Sequence, residues 1–162
     1  KKWILKLKPD ASQELQIAAL SHDIERGFTN KNESIARKNI NDYNQYKEVH
    51  SKRSVEVISN LLKKHGFEES FIKKVEHLVL LHEVGGDEET DFLRDADSIS
   101  FFEGNLEDYI KKFGAKKTRL KINYMYCRVS DKSKKINNNL NYQSQEIKEL
   151  IKEVISKHEL AE

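Results

Sequence analysis

The sequence predicts an all-α protein forming a single domain over residues 1–162, and three observations carry that expectation. Apolar residues recur every three to four positions in segment after segment, with no sustained alternation of the kind a half-buried strand requires. The strongest breakers (Pro9, Gly66, Gly85-Gly86 and Gly114) fall where those periodic segments end. Charged residues make up 35% and apolar ones 37% of the chain, a balance that suits helices with solvated outer faces around one core. A length of 162 residues is enough to bury such a core.

Seven or eight helices are expected from the pattern. Residues 1–8 end a first helix at Pro9, because the residue before a proline disfavours the α region. Asp10 then caps a second helix, with Gln13 as its capping-box partner, and that helix runs to about Glu25. Gly27 to Asp42 is polar and rich in Asn and Lys, so a loop or short irregular helix is expected there. Tyr43 to His65 forms a long helix closed by Gly66, and Glu69 to His82 forms another, stopped by Gly85-Gly86. A further helix spans Glu88 to Phe102. Beyond it lie a short helix over Asn105 to Phe113, one over Lys116 to Val129 with Ile122, Met125 and Val129 inward, and a last one over Gln143 to Leu160. That last helix carries Ile147, Leu150, Ile151, Val154 and Ile155 on one stripe, while Ser130 to Asn141 reads as a polar connector. The chemistry-bearing part covers about residues 10–103, with helices over about 105–160 packing on it.

Composition narrows the function classes. A formal net charge of +2 is too small to imply nucleic acid or an acidic membrane surface as partner. The longest apolar runs are a few residues long, too short to span a bilayer. Cys127 is the only cysteine, so no internal disulfide forms and a reducing, cytoplasmic compartment is expected. The only methionine is Met125, so the chain is expected to begin inside a longer product.

Five ionisable residues stand out because they occupy apolar helical faces. His22-Asp23 comes directly after Leu15, Ala18, Ala19 and Leu20. Helical steps back from His82 meet Leu78, Val75 and Phe71, and steps forward from His50 meet Ser54, Val57, Ile58 and Leu61. Asp97 sits four residues from both Leu93 and Phe101. Inward-facing charges are costly unless paired or bound to metal, and no matching buried lysine is apparent. One shared positive partner, a metal centre held by His22, Asp23, His50, His82 and Asp97, is the simplest account. The remaining histidines read differently: His65 and His158 lie at helix C-termini, which favour a cation, and His77 lies among Lys73, Lys74 and Glu76 and should face water. Asp95 reads as a supporting or surface carboxylate, and Glu83 as a residue that either orients a ligand or lies on the surface.

The order His-Asp, His, His, Asp resembles the HD superfamily of metal-dependent hydrolases. Ala18-Ala-Leu-Ser-His-Asp-Ile-Glu-Arg26 is similar to its AALLHDI segment, and Leu93-Arg-Asp-Ala-Asp-Ser-Ile99 to its late ADxL segment, with Asp97 in the ligand position. His50-Ser51 and His82-Glu-Val-Gly-Gly86 resemble the intervening histidines of the dinuclear branch, which includes the HD-GYP phosphodiesterases and diadenosine tetraphosphate hydrolases. The resemblance covers about residues 10–103. It implies two divalent ions (iron, manganese, cobalt or zinc) bridged by Asp23, one further histidine upstream of Lys1, and hydrolysis of a phosphate ester or anhydride in a nucleotide or dinucleotide. The dinuclear enzymes carry a lysine where this chain has Arg26, so Arg26 is expected to neutralise phosphate, with Asp23 and Arg26 the catalytic pair. Lys117, Lys121 and Arg128, with Tyr124 among them, form a second cationic set for substrate, Arg128 the foremost of them. Two other outcomes fit the same ligands: a mixed-valent di-iron oxygenase of a small polyol or phosphonate, and a metal-binding module that senses a nucleotide without turnover.

Overall fold

Every regular element is helical in the computed structural model, which describes residues 1–28 and 43–159; no strand occurs among the described residues. The expected loop from Gly27 to Asp42 lies, from residue 29 onward, outside the described residues. The chain divides into two compact units, Lys1–Ala96 and Asp97–Glu162.

In the first unit, α1 (Lys2–Leu7) stops before Pro9 and buries Trp3, Ile4 and Leu7. Helix α2 (Gln13–Ser21) is capped by Ser12 and not by the expected Asp10. The Ser12 hydroxyl accepts from the Leu15 amide at 3.2 Å and donates to Glu89 Oε1 at 3.0 Å, while Asp10 stays exposed beside Lys8. Ser12 wins because it immediately precedes the first helical residue, where a side-chain oxygen reaches the free amides of the first turn. α2 also ends earlier than its apolar pattern implies. The chain turns through His22 to Ile24 before a short α3 (Glu25–Phe28).

Helix α4 (Tyr43–Lys64) closes as its sequence demands. Gly66 adopts φ +75°, its amide bonds the Lys63 carbonyl, and the Phe67 amide reaches back to the Leu62 carbonyl. These are the paired bonds of a Schellman ending, which needs the left-handed conformation that glycine enters without strain. Helix α5 (Glu69–Leu81) is central: both α2 and α4 pack against it, over Ile72, Val75, Leu78 and Val79. The buried stripe of α4 is polar and small toward its start (His50, Ser51, Ser54) and apolar toward its end (Ile58, Leu62). Helix α6 (Glu88–Ser100) starts with a reciprocal cap, in which the Thr90 amide donates to Asp87 Oδ1 at 2.9 Å and the Asp87 amide to Thr90 Oγ1 at 3.0 Å.

The second unit takes the end of α6, a π-helical turn (Phe101–Asn105), and α7 (Leu106–Cys127). α7 is broken at Gly114, whose φ of +74° and ψ of 169° separate the two expected helices. Helix α8 (Asp131–Asn138) occupies the stretch expected to be a connector, and α9 (Gln145–Glu159) closes the chain. α9 packs on α7 around Phe102, Leu106, Ile122, Met125, Ile147 and Val154. The α8 helix escaped the apolar pattern because its buried face holds Ser133 and Asn137, four residues apart, with Ser130 capping the Ser133 amide. No helix among the described residues is long and apolar enough to cross a membrane.

Candidate metal centre

Three of the expected ligands meet in the first unit. Asp23, His50 and His82 each offer one ligand atom, and those atoms lie within 4.8 Å of one another. His22 stands beside them, its ring centroid 5.0 Å from that of His82, and the His50 and His82 rings are 5.5 Å apart. The local folding that delivers each residue is legible. Ser21 ends α2 with its hydroxyl on the Ile17 carbonyl, and the amides of Ile24, Arg26 and Gly27 then bond carbonyls three residues back. This tightened turn sets His22 and Asp23 where a continuous helix would carry them past the site. His50 comes from the buried stripe of α4. His82 comes just after the last residue of α5 in helical conformation, before the chain leaves through Gly85 (φ +73°) and Gly86 (φ +137°).

Both imidazoles of the cluster have one nitrogen committed to the protein. His82 Nδ1–H donates to the Val79 carbonyl at 2.7 Å, so a ligating role would fall to Nε2. His50 is 1% exposed, and its Nδ1 stands 2.9 Å from Oε1 of Glu25, itself only 2% exposed. The other nitrogen of His50, Nε2, lies 2.8 Å from Asp23 Oδ1. A buried imidazole nitrogen and a carboxylate oxygen so placed can both ligate a cation, and no thiolate is among them. Tyr46 stacks parallel to the His50 ring, at 6.1 Å between centroids.

The charges of the cluster reinforce one another. Burial opposes ionisation of Asp23, but the hydrogen-bonding proximity of His50 and the charges of His22, Arg26 and His50 outweigh it and hold the carboxyl below its ordinary range. Burial likewise opposes protonation of His50, yet the Asp23 and Glu25 carboxylates on either side raise its pKa above the ordinary value. Arg26 Nη1 lies 2.8 Å from Asp23 Oδ2, and its side chain is 58% exposed. Arg26 therefore sits at the solvent edge of the cluster and pairs with Asp23, its neighbour one turn back.

The other expected residues each have identifiable neighbours. Asp97 belongs to the second unit, where its carboxylate is ion-paired with Arg128. Arg128 also donates from Nε to Ser98 Oγ at 2.8 Å and lies 5.2 Å over the Tyr124 ring. Lys121 lies over Phe101 and Tyr124, and Lys117 over Phe113 at 5.9 Å. Asp95 is 4% exposed and lies 3.8 Å from Arg94, so it is a buried carboxylate and not a surface one. His77 faces water as expected and pairs with Asp87 at 2.6 Å, and Glu83 Oε1 lies 3.9 Å from His82 Nε2. Glu25 is the site residue the sequence did not reveal.

Fold and site thus define an all-α protein with a cluster of one carboxylate and two imidazoles that can hold a metal ion. The chain belongs to the family described as Domain of unknown function (DUF4202), whose model matches residues 1–151. Comparison with curated proteins returns no match, and neither does comparison with solved structures.

Proposed function

We propose that this protein is a divalent-metal-dependent phosphohydrolase of the HD type, acting on a phosphate ester or anhydride of a nucleotide or dinucleotide. The observation that carries the proposal is the Asp23–His50–His82 group with both imidazoles fixed through their second nitrogens. Two ions from among iron, manganese, cobalt and zinc suit such nitrogen and oxygen ligands. His22 adds a nitrogen beside them. Bound there, a divalent ion supplies Lewis acidity and a water acidic enough to yield hydroxide near neutral pH.

The chain's own residues do the rest. Asp23 presents one oxygen toward His50 and the other toward Arg26, and would be the carboxylate ligand of the centre. The Val79 carbonyl and Glu25 keep His82 and His50 from rotating. Arg26, mostly exposed at the edge, swings from Asp23 to an incoming phosphoryl oxygen, where its planar fork matches two oxygens at once. The nucleotide assignment rests on the superfamily resemblance, and the cytoplasmic location on the single exposed thiol of Cys127.

A second reading, the mixed-valent di-iron oxygenase, draws on the same two-histidine, one-carboxylate group, a set that also suits non-haem iron. One preparation separates them. Protein purified anaerobically is subjected to elemental analysis, then offered a nucleotide panel and, separately, oxygen. Phosphate release that disappears in His82→Ala supports the hydrolase. An oxygen-dependent mixed-valent iron signal without phosphate release overturns it in favour of the oxygenase. Nucleotide-induced stabilisation without turnover overturns both in favour of a sensor.

A further inference from the structure

Glu25 stands out in this molecule as a carboxylate with almost no access to water, placed on a nitrogen of a histidine that is itself buried. Burying a carboxylate costs several kcal/mol unless strong hydrogen bonds repay it, and one such bond is to His50. Its partner is one of the cluster imidazoles. From inside to outside the order runs Glu25 Oε1 to His50 Nδ1 at 2.9 Å, His50 Nε2 to Asp23 Oδ1 at 2.8 Å, then Asp23 Oδ2 to Arg26 Nη1 at 2.8 Å. The line runs from a fully enclosed carboxylate to an exposed guanidinium.

We infer that Glu25 is a positioning residue for the metal centre: it fixes His50 in the tautomer with the proton on Nδ1, aims Nε2 at the cation, and makes that nitrogen a stronger donor. This rests on the metal reading of Asp23, His50 and His82. The two imidazoles are held by different acceptors. His82 is held by a backbone carbonyl, His50 by a carboxyl oxygen. A carboxylate behind an imidazole polarises it more than a carbonyl does, so His50 is the stronger nitrogen ligand of the pair. Its parallel contact with Tyr46 fixes the ring plane and leaves Glu25 to fix the rotation.

The test compares wild type with Glu25→Gln, Glu25→Ala and His50→Ala, each first shown to be folded by circular dichroism and thermal melting. The probe is Co2+, whose visible absorption reports donor strength and geometry as well as occupancy. Wild type binds Co2+ with a d–d spectrum that shifts in Glu25→Gln, where an acceptor remains but the charge is gone. Affinity falls about tenfold in Glu25→Gln and up to about a hundredfold in Glu25→Ala, the span that supporting residues of metal sites occupy. Imidazole 15N chemical shifts of the Zn2+-loaded protein show His50 protonated at Nδ1 in wild type and in Glu25→Gln, and a changed tautomer or ring orientation in Glu25→Ala. Affinity within twofold of wild type and an unmoved Co2+ spectrum in both Glu25 variants, with His50→Ala losing the metal, overturn the role of Glu25 alone. Wild-type protein that binds neither Co2+ nor Zn2+ overturns the metal reading and this inference with it.

Discussion

Replacing Arg26 by alanine separates a phosphate-binding role from a structural one, and the geometry fixes the size of each. The Arg26–Asp23 pair is close, at 2.8 Å, but the arginine side chain is 58% exposed. In that setting an ion pair is screened by water and contributes about 0–1 kcal/mol to stability. Arg26→Ala should therefore lower the melting temperature by no more than about 4 °C, taking roughly 2–4 °C per kcal/mol for a chain of this size. Metal content should hold, since a guanidinium has no lone pair to give, and metal affinity should stay level or rise because Asp23 Oδ2 is released. Turnover behaves differently. Withdrawing a cation that stabilises charge in the transition state costs about a hundredfold in rate, or ~3 kcal/mol. Arg26→Lys should recover part of that loss but not all, because an ammonium makes no bidentate contact.

The assay is phosphate release from a nucleotide panel by protein of known metal content, alongside a thermal melt of each variant. Full turnover in metal-loaded Arg26→Ala would exclude Arg26 from the site, and with it the strongest residue-level support for a phosphate substrate. A destabilisation well beyond about 1 kcal/mol would show instead that the pair holds the turn from His22 to Ile24 together.

Three further outcomes are expected. Metal added to metal-free protein at about a hundred times its dissociation constant should stabilise the fold by ~2.7 kcal/mol, reversed by chelation and absent from His82→Ala; a melting temperature indifferent to metal contradicts the centre. Gly85→Ala should cost about 1–2 kcal/mol from the left-handed backbone alone, at φ +73°. Its new Cβ would also lie 2.1 Å from Asp91 Oδ1 and 2.3 Å from Arg94 Nη1, forcing both side chains aside, so an unchanged melt would mean the turn after His82 does not have this geometry. Asp87, whose carboxyl is held low first by the His77 hydrogen bond and then by the Thr90 amide, contributes stability above the unfolded carboxyl range. That contribution fades as pH falls through its depressed folded value, so the melting gap between wild type and Asp87→Asn should be present at about pH 5 and shrink below about pH 4. A gap that widens on acidification has the wrong sign.

Much of the fold was legible because helix ends in this chain are written in glycine and proline. Pro9, Gly66, Gly85-Gly86 and Gly114 mark ends whose backbone geometry only those residues meet cheaply, and each falls at a boundary or break. Caps were less legible, since Asp10 and Ser12 are both good capping residues; the helix starts directly after Ser12, whose hydroxyl also donates to Glu89. Helix α8 was hidden for a different reason. An apolar stripe is the signal of a buried helix face, and here that face is Ser133 and Asn137.

The same logic explains why the sequence displayed His22, Asp23, His50 and His82 but concealed Glu25. A histidine or aspartate amid apolar residues at helical spacing is conspicuous because burial penalises it. Glu25 lies in a polar run beside Arg26, and with α2 extended to Glu25 the two look like neighbours on one surface. The helix breaks instead at His22 to Ile24, through bonds that reach three residues back in place of four. Each residue of such a turn advances about 120° in place of about 100°, so the side chains beyond it are rotated by more than half a position. That rotation sends Glu25 inward onto His50 and leaves Arg26 outward on Asp23. A mistake of a few residues in the end of one helix is enough to exchange the buried and the exposed member of an adjacent charged pair, which makes the turn after Ser21 the feature on which the chemistry of this site depends.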